Sequence, residues 1–484
     1  MNQPIARLFV VVLIMFALLV AFTSRWSVFD QSALRTNPEN RRPFLESLTV
    51  PRGSIVADNG AVIARSVRQR DGRYLREYPF HDLFASPVGY YDATNGSTGV
   101  ERERNGVLAG APPQQSSILD QLQDRQTDGD QVTTTLDPHA QQVALAGLAG
   151  RQGAVVAMVP STGAIRVLVS SPSYDPNQIK DHAAFERLIH DSSDPLFNNA
   201  TQAQYAPGST FKVVDTIAAI DTNLYTPNSI INGNSPITVA TRPLANDSGT
   251  SYGPVPLSYA LTNSINTVYA QVALKVGAPT LQRYMQRLGF YRTPPIDLPG
   301  NELSSSGVRY PGHAGYLPLT GGADVGRVGI GEGGLEATPL QMVMVAAAVA
   351  NGGRLMTPYL TREVVNADGQ VVEETQPKLY STVMKPSTAQ TVGVMMENVV
   401  KDGTGTAAAL AGVTVAGKTG TAQDCANLAL PACQLNQVWF IAYAPVENPK
   451  IAVAVTLPHQ NGFGGTIAAP IAREVIQALV GAHA

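Results

Sequence analysis

The sequence predicts a multi-domain α/β protein whose late domain draws one sheet from strands at both of its ends and a helical lobe from the residues between. β-rich runs stand at 153–159 (GAVVAMV) and 164–171 (AIRVLVSS), and again at 437–446 (QVWFIAYAPV) and 450–459 (KIAVAVTLPH). The stretch between them is helical in pattern, as in PLQMVMVAAAVANGG at 339–353. Strands so far apart in sequence share one core only by joining a sheet, with helices as the covering layer.

The bulk numbers agree. A chain of 484 residues exceeds one ordinary domain and suggests two or three. Apolar residues make up 44% and charged residues 15%, the balance of a globular protein, which excludes a long disordered tail. Net charge is −3 and no basic run is long enough to grip a phosphate backbone, so nucleic acid is not an expected partner.

Along the chain, the first feature is the apolar run Leu8 to Phe22, flanked by Arg7 and Arg25. Its fifteen residues fall short of the ~20 that span a bilayer core. Thr23 and Ser24 extend it, the two arginines can snorkel outwards, and Trp26 stands where an interfacial aromatic belongs. We expect a short cytoplasmic tail and signal anchor over residues 1–26. The alternatives are a cleaved signal peptide, with Ala21-Phe22-Thr23 as an imperfect cleavage site, and a buried helix. The anchor and the cleaved signal both export the remainder. Arg7 is the sole charged side chain before the run, so the positive-inside rule has a single charge to act on.

Residues 27–135 mix short apolar runs with turn signals at Asn37-Pro38, Asp58-Asn59-Gly60, Asp71-Gly72 and Gly110 to Pro113, which predicts a smaller strand-containing domain. Residues 136–484 form the main domain. Asp137-Pro138 reads as a helix start and Pro160 to Gly163 as a hairpin turn. Residues 209–220 read as a helix, and a last helix is expected from Pro470 to Val480.

Three short motifs carry chemistry. Ser209 and Lys212 lie one turn apart on the expected helix and share a face. A serine hydroxyl needs a nearby base, and a lysine serves as one only if burial or a neighbouring cation lowers its pKa. The helix start adds N–H groups for charge that develops during acyl attack. Ser264-Ile265-Asn266 falls between two apolar helical stretches and is a weak signal alone. Lys418-Thr419-Gly420, with Thr421 next, follows a β-branched approach; Gly420 would let a substrate backbone lie close, and Lys418 would attract a carboxylate.

In this order the motifs match the set of penicillin-binding proteins and class A β-lactamases. The chain resembles the class B penicillin-binding proteins, most of all their short actinobacterial A type. Further likeness lies in RGSIVADNG at 52–60, SPSYDPN at 171–177, TPLQ at 338–341 and ANGG at 350–353, and extends over most of residues 40–484. The resemblance implies a pedestal or dimerisation-type domain over 27–135. Over 136–484 it implies a penicillin-binding, serine β-lactamase-like transpeptidase domain, with a central antiparallel sheet flanked by helices. The activity implied is D,D-transpeptidation of peptidoglycan stem peptides, with release of D-Ala and covalent inhibition by β-lactams. Ser209 would be the nucleophile and Lys212 its base, its pKa lowered partly by Lys418. Ser264 would pass a proton to the leaving amine, Asn266 would hold the substrate amide, and the Ser209 and Thr421 N–H groups would form the oxyanion hole. Thr419, Gly420 and Thr421 would bind substrate. A polytopic glycosyltransferase of the shape, elongation, division and sporulation family is the implied partner. The implied location is the plasma membrane, with the catalytic domain outside. Two positions depart from the family: Asn59 follows Asp58 where Arg is frequent, and Glu332 stands where Gln or His is commoner.

Rival readings use the same residues. Gly412 to Thr419 fits the G-x-x-x-x-G-K-[ST] phosphate loop, but Val413 to Val415 favour strand where a loop is needed. Water in place of an amine acceptor would make a carboxypeptidase or β-lactamase, and Glu302 is in roughly the stretch for a deacylating carboxylate. The fold could also serve as a β-lactam sensor. No metal or cofactor is expected, since the histidines are scattered without H-E-x-x-H. Cys425 and Cys433 would close a small loop in an oxidising compartment and stay reduced otherwise.

Overall fold

In the computed structural model, residues 3–25, 48, 50–109, 128–310, 312–319, 324–423 and 435–481 are described. The N-terminal run folds as helix Gln3–Ser24, with a mean hydropathy of 2.9 and none of its apolar window buried. Twenty-two residues rise about 33 Å, enough to cross a hydrocarbon core. It outruns the apolar stretch at its far end because Thr23 Oγ1 donates back to Leu19 O at 2.7 Å, which satisfies the hydroxyl inside the helix. Trp26 lies outside the described residues, as do Cys425 and Cys433.

A six-stranded sheet follows, in the order Val371–Glu374, Thr361–Val365, Gln131–Thr134, Ile55–Val56, Val62–Arg68 and Tyr74–Glu77. Its first two strands come from the far side of helix Pro339–Ala350. The sheet therefore takes strands from both segments that the sequence separates at residue 135. Asp297 accepts Thr361 N–H at 2.7 Å, and Arg104 reaches Glu373 at 2.8 Å, pinning this exchange. Behind the sheet, Glu101 is fully buried between Arg52, 3.0 Å away, and Arg76. Burial alone would raise its pKa, yet the two guanidiniums outweigh that and hold it below the usual carboxylate value.

The second sheet is antiparallel throughout, in the order Ala416–Gln423, Asn436–Ala444, Ile451–Gln460, Gly153–Met158, Ile165–Ser171. Its central strands read as unbroken apolar runs because both faces are covered. Alternation sends Val155, Ala157, Phe440 and Val453 into one core, beneath helices Pro138–Leu148 and Gly464–Val480. Val156, Met158, Trp439 and Ile441 enter the other, shared with the helical lobe. Helix Pro339–Ala350 lies in that second core with every residue from Pro339 to Val349 buried, which explains its all-round apolar sequence. Thr338 caps it by accepting Gln341 N–H at 3.1 Å.

Two expected boundaries shift. The last helix begins at Gly464, not Pro470, because the Thr466 hydroxyl donates to Phe463 O at 3.0 Å and closes the first turn. Pro470 sits inside, forgoing one backbone hydrogen bond. Ser209 falls not in an α-helix but in the 3₁₀ turn Gly208–Phe211, which runs into helix Lys212–Asp221.

Removing Glu101 leaves two buried guanidiniums without a counter-charge. Glu101→Ala should therefore lower unfolding stability by about 3–5 kcal/mol in urea titrations followed by circular dichroism. A loss below about 1 kcal/mol would mean that the cluster bears little load.

Candidate active site

A serine can act only if its backbone is held still, and the turn carrying Ser209 is gripped from two sides. On the sheet side, Trp439 Nε1 donates to Ala206 O at 2.9 Å, and the Tyr205 ring meets Trp439 edge-on at 6.3 Å. A side chain at Gly420 would meet Pro207 O at 2.7 Å and Trp439 Cβ at 2.9 Å. The room that Gly420 provides is thus filled by the protein's own turn, where the sequence reading had placed a substrate backbone. On the lobe side, Gly208 N–H donates to Gly331 O at 3.0 Å, and a Cβ on Gly331 would lie 1.9 Å from Gly208 O. Gly208 itself has φ +51. Ser209 stands half-buried between these supports, in a cleft of about 1070 Å³.

Lys212 opens the helix that follows and is wholly buried. Its Nζ lies 2.6 Å from Ser264 O, 2.7 Å from Asn266 Oδ1 and 3.3 Å from Ser264 Oγ. Ser264 joins helix Leu257–Thr262 to helix Asn266–Val276 in the left-handed region, φ +59, which a non-glycine residue occupies under strain. Lys418 reaches the same hydroxyl from the strand, with Nζ 3.0 Å from Ser264 Oγ. It pairs with Ile441 across the ladder, and cross-strand partners share a face, so it points into the lobe-side core. Thr419 and Thr421 line the cleft from this edge strand; Thr404 and Thr419 share a hydroxyl hydrogen bond of 2.7 Å.

Burial pushes the Lys212 pKa well below its ordinary value, and the Lys418 charge beside it adds to the fall. Burial alone takes Lys418 down to about 7. Glu332, Asp247 and Asp215, the last one turn beyond Lys212, act the other way but are outweighed. Burial drives the Asp215 carboxyl well above the usual range, and neither of its oxygens meets a hydrogen-bond partner among the described residues. A neutral amine has two N–H bonds and one lone pair. Ser264 O and Asn266 Oδ1 occupy the first two at Lys212, leaving the lone pair to take a hydroxyl proton.

The structure thus brings Ser209, Lys212, Ser264, Asn266, Lys418, Thr419 and Thr421 to one cleft. Glu302 is elsewhere: it is buried and accepts Gly99 N–H at 3.0 Å, so it is not placed to activate a deacylating water. Lys418 and Thr419 sit mid-strand in Ala416–Gln423, paired residue by residue, which removes the phosphate-loop reading. Sequence reasoning passed over Trp439, Thr404 and Asp215, none of which stands in a motif. Asn246 was also missed; it accepts Thr267 N–H at 2.9 Å and steadies the start of the Asn266 helix.

Residues 153–477 match the model of the penicillin binding protein transpeptidase domain, and residues 52–132 match the penicillin binding protein A dimerisation domain. The chain is 34% identical to the peptidoglycan D,D-transpeptidase PbpA of Mycolicibacterium smegmatis over 99% of both chains. Against MrdA, a peptidoglycan D,D-transpeptidase of Haemophilus influenzae, it is 32% identical over 94% of this chain and 72% of that one. Among solved structures, the ceftriaxone acyl-enzyme of penicillin-binding protein A from M. tuberculosis matches with a TM-score of 0.82 and 32% identity, over 90% of this chain and all of that one. A D,D-transpeptidase domain from Eggerthella lenta matches with a TM-score of 0.78 at 30% identity, over 90% of this chain and 99% of that one.

The rate at which an active ester acylates Ser209 should rise with pH while Lys212 loses its proton. It should fall above about pH 7 as Lys418 loses its charge. Lys418→Gln should abolish the alkaline fall and move the acid limb to higher pH, because the cation that depresses Lys212 is gone. A stopped-flow profile flat from about pH 5 to about 9 would contradict this assignment.

Proposed function

The chain belongs to the penicillin-binding protein transpeptidase family, and we propose on that footing that it is a peptidoglycan D,D-transpeptidase working through an acyl-enzyme on Ser209. The observation that carries the assignment is the meeting of two lysines on the Ser264 hydroxyl, in the cleft that Ser209 lines. In this reading the donor stem peptide lies along the edge strand Ala416–Gln423, whose outer side has no partner strand among the described residues. Its terminal carboxylate is drawn by Lys418 and the threonines. Ser209 Oγ attacks the D-Ala-D-Ala carbonyl as the Lys212 lone pair removes its proton. The Ser209 and Thr421 N–H groups take the oxyanion, Asn266 holds the substrate amide, and Ser264 relays the proton to the departing D-Ala amine. An amine of a second stem peptide then displaces Ser209. A β-lactam enters as a donor mimic, as ceftriaxone does in the tuberculosis protein.

The N-terminal helix supports a single-pass anchor in the plasma membrane, with the catalytic domain outside, where the polymer is. Residues 27–135 would then be a pedestal that lifts the 136–484 transpeptidase domain from the bilayer. A polytopic glycosyltransferase is the partner that suits such an anchor.

Labelling membranes with fluorescent penicillin tests the nucleophile. Wild type should carry the label and Ser209→Ala should carry none, whereas a labelled mutant would reassign the serine. A thioester donor analogue supplied with and without an amine then separates transfer from hydrolysis, and a product that is acid alone would mark a carboxypeptidase.

A further inference from the structure

Glu332 lines the catalytic cleft from the lobe side, on the turn that grips Ser209 through Gly331. Gly208 lies against both Thr421 and Gly331, so the edge strand and the turn carrying Glu332 both adjoin the turn that carries Ser209. The charged groups around Glu332 are Lys212, Arg327 and Asp324, with Asp247 on the same cleft and Lys418 sharing the Ser264 hydroxyl with Lys212. Each cation is engaged elsewhere. Arg327 donates to Asp324 and to the carbonyls of Val239 and Pro243, at 3.2 and 2.9 Å. Lys212 is held by Ser264 and Asn266, and Lys418 by Ser264 and Thr419. The Glu332 carboxyl feels Lys212 and Arg327 only through space, and burial raises its pKa above the usual value. A half-buried carboxylate beside the nucleophile, without a cation of its own among the described residues, is a site prepared for an incoming one.

We propose that Glu332 is the specificity-determining residue of the acceptor side: it pairs with the ammonium group of the attacking stem peptide and favours amine over water at the acyl-enzyme. This rests on the transpeptidase reading given above. The ammonium arrives with three protons. One leaves through the open cleft and one passes to Ser209 Oγ as the acyl carbon–Oγ bond breaks. The third stays on the nitrogen of the new amide. Glu332 holds the cation until the first proton departs.

The measurement is the partition of one acyl-enzyme. A thioester donor is supplied with D-alaninamide, a cationic amine, or with methanol, a neutral nucleophile, and the ratio of transfer to hydrolysis is read by mass spectrometry. Because the ratio concerns only enzyme already acylated, a failure of Ser209 to acylate would count against the transpeptidase reading and not be confused with this one. In Glu332→Gln the D-alaninamide ratio should fall about tenfold, the loss of one charge-assisted contact, with the methanol ratio unmoved. No fall, or an equal fall for both nucleophiles, would overturn the proposal. Should Glu332→Gln not take up the donor, Glu332→Asp carries the comparison. With its charge kept it must retain the preference for amine over methanol, and loss of that preference overturns the assignment equally.

Discussion

Two ammonium groups that share one hydroxyl, out of contact with bulk water, govern this molecule. Lys212 and Lys418 approach Ser264 Oγ to 3.3 and 3.0 Å. Two unit charges within about 6 Å repel by about 3 kcal/mol at a protein-like dielectric, roughly two pKa units. Burial adds a penalty for every charge retained. Both cannot be cations cheaply, so Lys212, whose pKa falls under both effects, yields its proton first. In the proposed mechanism this division makes Lys212 the base and leaves Lys418 to attract anions, from side chains of the same type. Glu332, Asp247 and Asp215 pull the Lys212 pKa upward, but burial and the Lys418 charge outweigh them, and burial raises the Asp215 carboxyl itself well above its usual value.

The fold exists in this form because those groups must come from distant places. Lys212 belongs to the helical lobe, Ser264 to a helix junction and Lys418 to the edge strand of the sheet. A sheet whose strands stand at both ends of the domain lets the lobe grow as one long insertion between them. The insertion packs back onto the face that carries Trp439 and Ile441. The cleft is the seam between insertion and edge strand, on the side where no further strand pairs among the described residues. Strand Thr361–Val365 leaves this domain to join the pedestal sheet, so the seam and the pedestal are built on a common frame.

Much of this was legible in the sequence, and what was not has physical reasons. Apolar runs marked the central strands, since burial on both faces removes polar alternation, and the same logic revealed helix Pro339–Ala350. Local rules failed where a distant contact decides. Pro470 looked like a helix start, but Thr466 closes the first turn earlier. Gly420 looked like room for substrate, but it accommodates Pro207. No local pattern could announce that strands 361–374 would cross to the other sheet. Ser209, Lys212, Ser264 and Lys418 were legible because their spacing is a motif. Their supports were not: Trp439 and Asn246 act through single long-range hydrogen bonds, which leave no periodic trace.

The site also concentrates features that a stability-driven sequence would discard. Ser264 holds a left-handed backbone, Asp215 has no partner among the described residues, and two lysines are wholly buried. Strain of the first kind costs about 1–3 kcal/mol, and each buried polar group adds its own desolvation. Relaxing any of them would stabilise the chain but would restore an ordinary lysine, which is protonated and inert at neutral pH. The surroundings keep them from relaxing. Lys212 donates to the Ser264 carbonyl, so the strained residue and the base fix each other's position. The turn before Ser209 is clamped between Trp439 and Gly331, and Trp439 is anchored in a core with no space to yield. Reactivity here comes from a rigid frame that forbids its own repair.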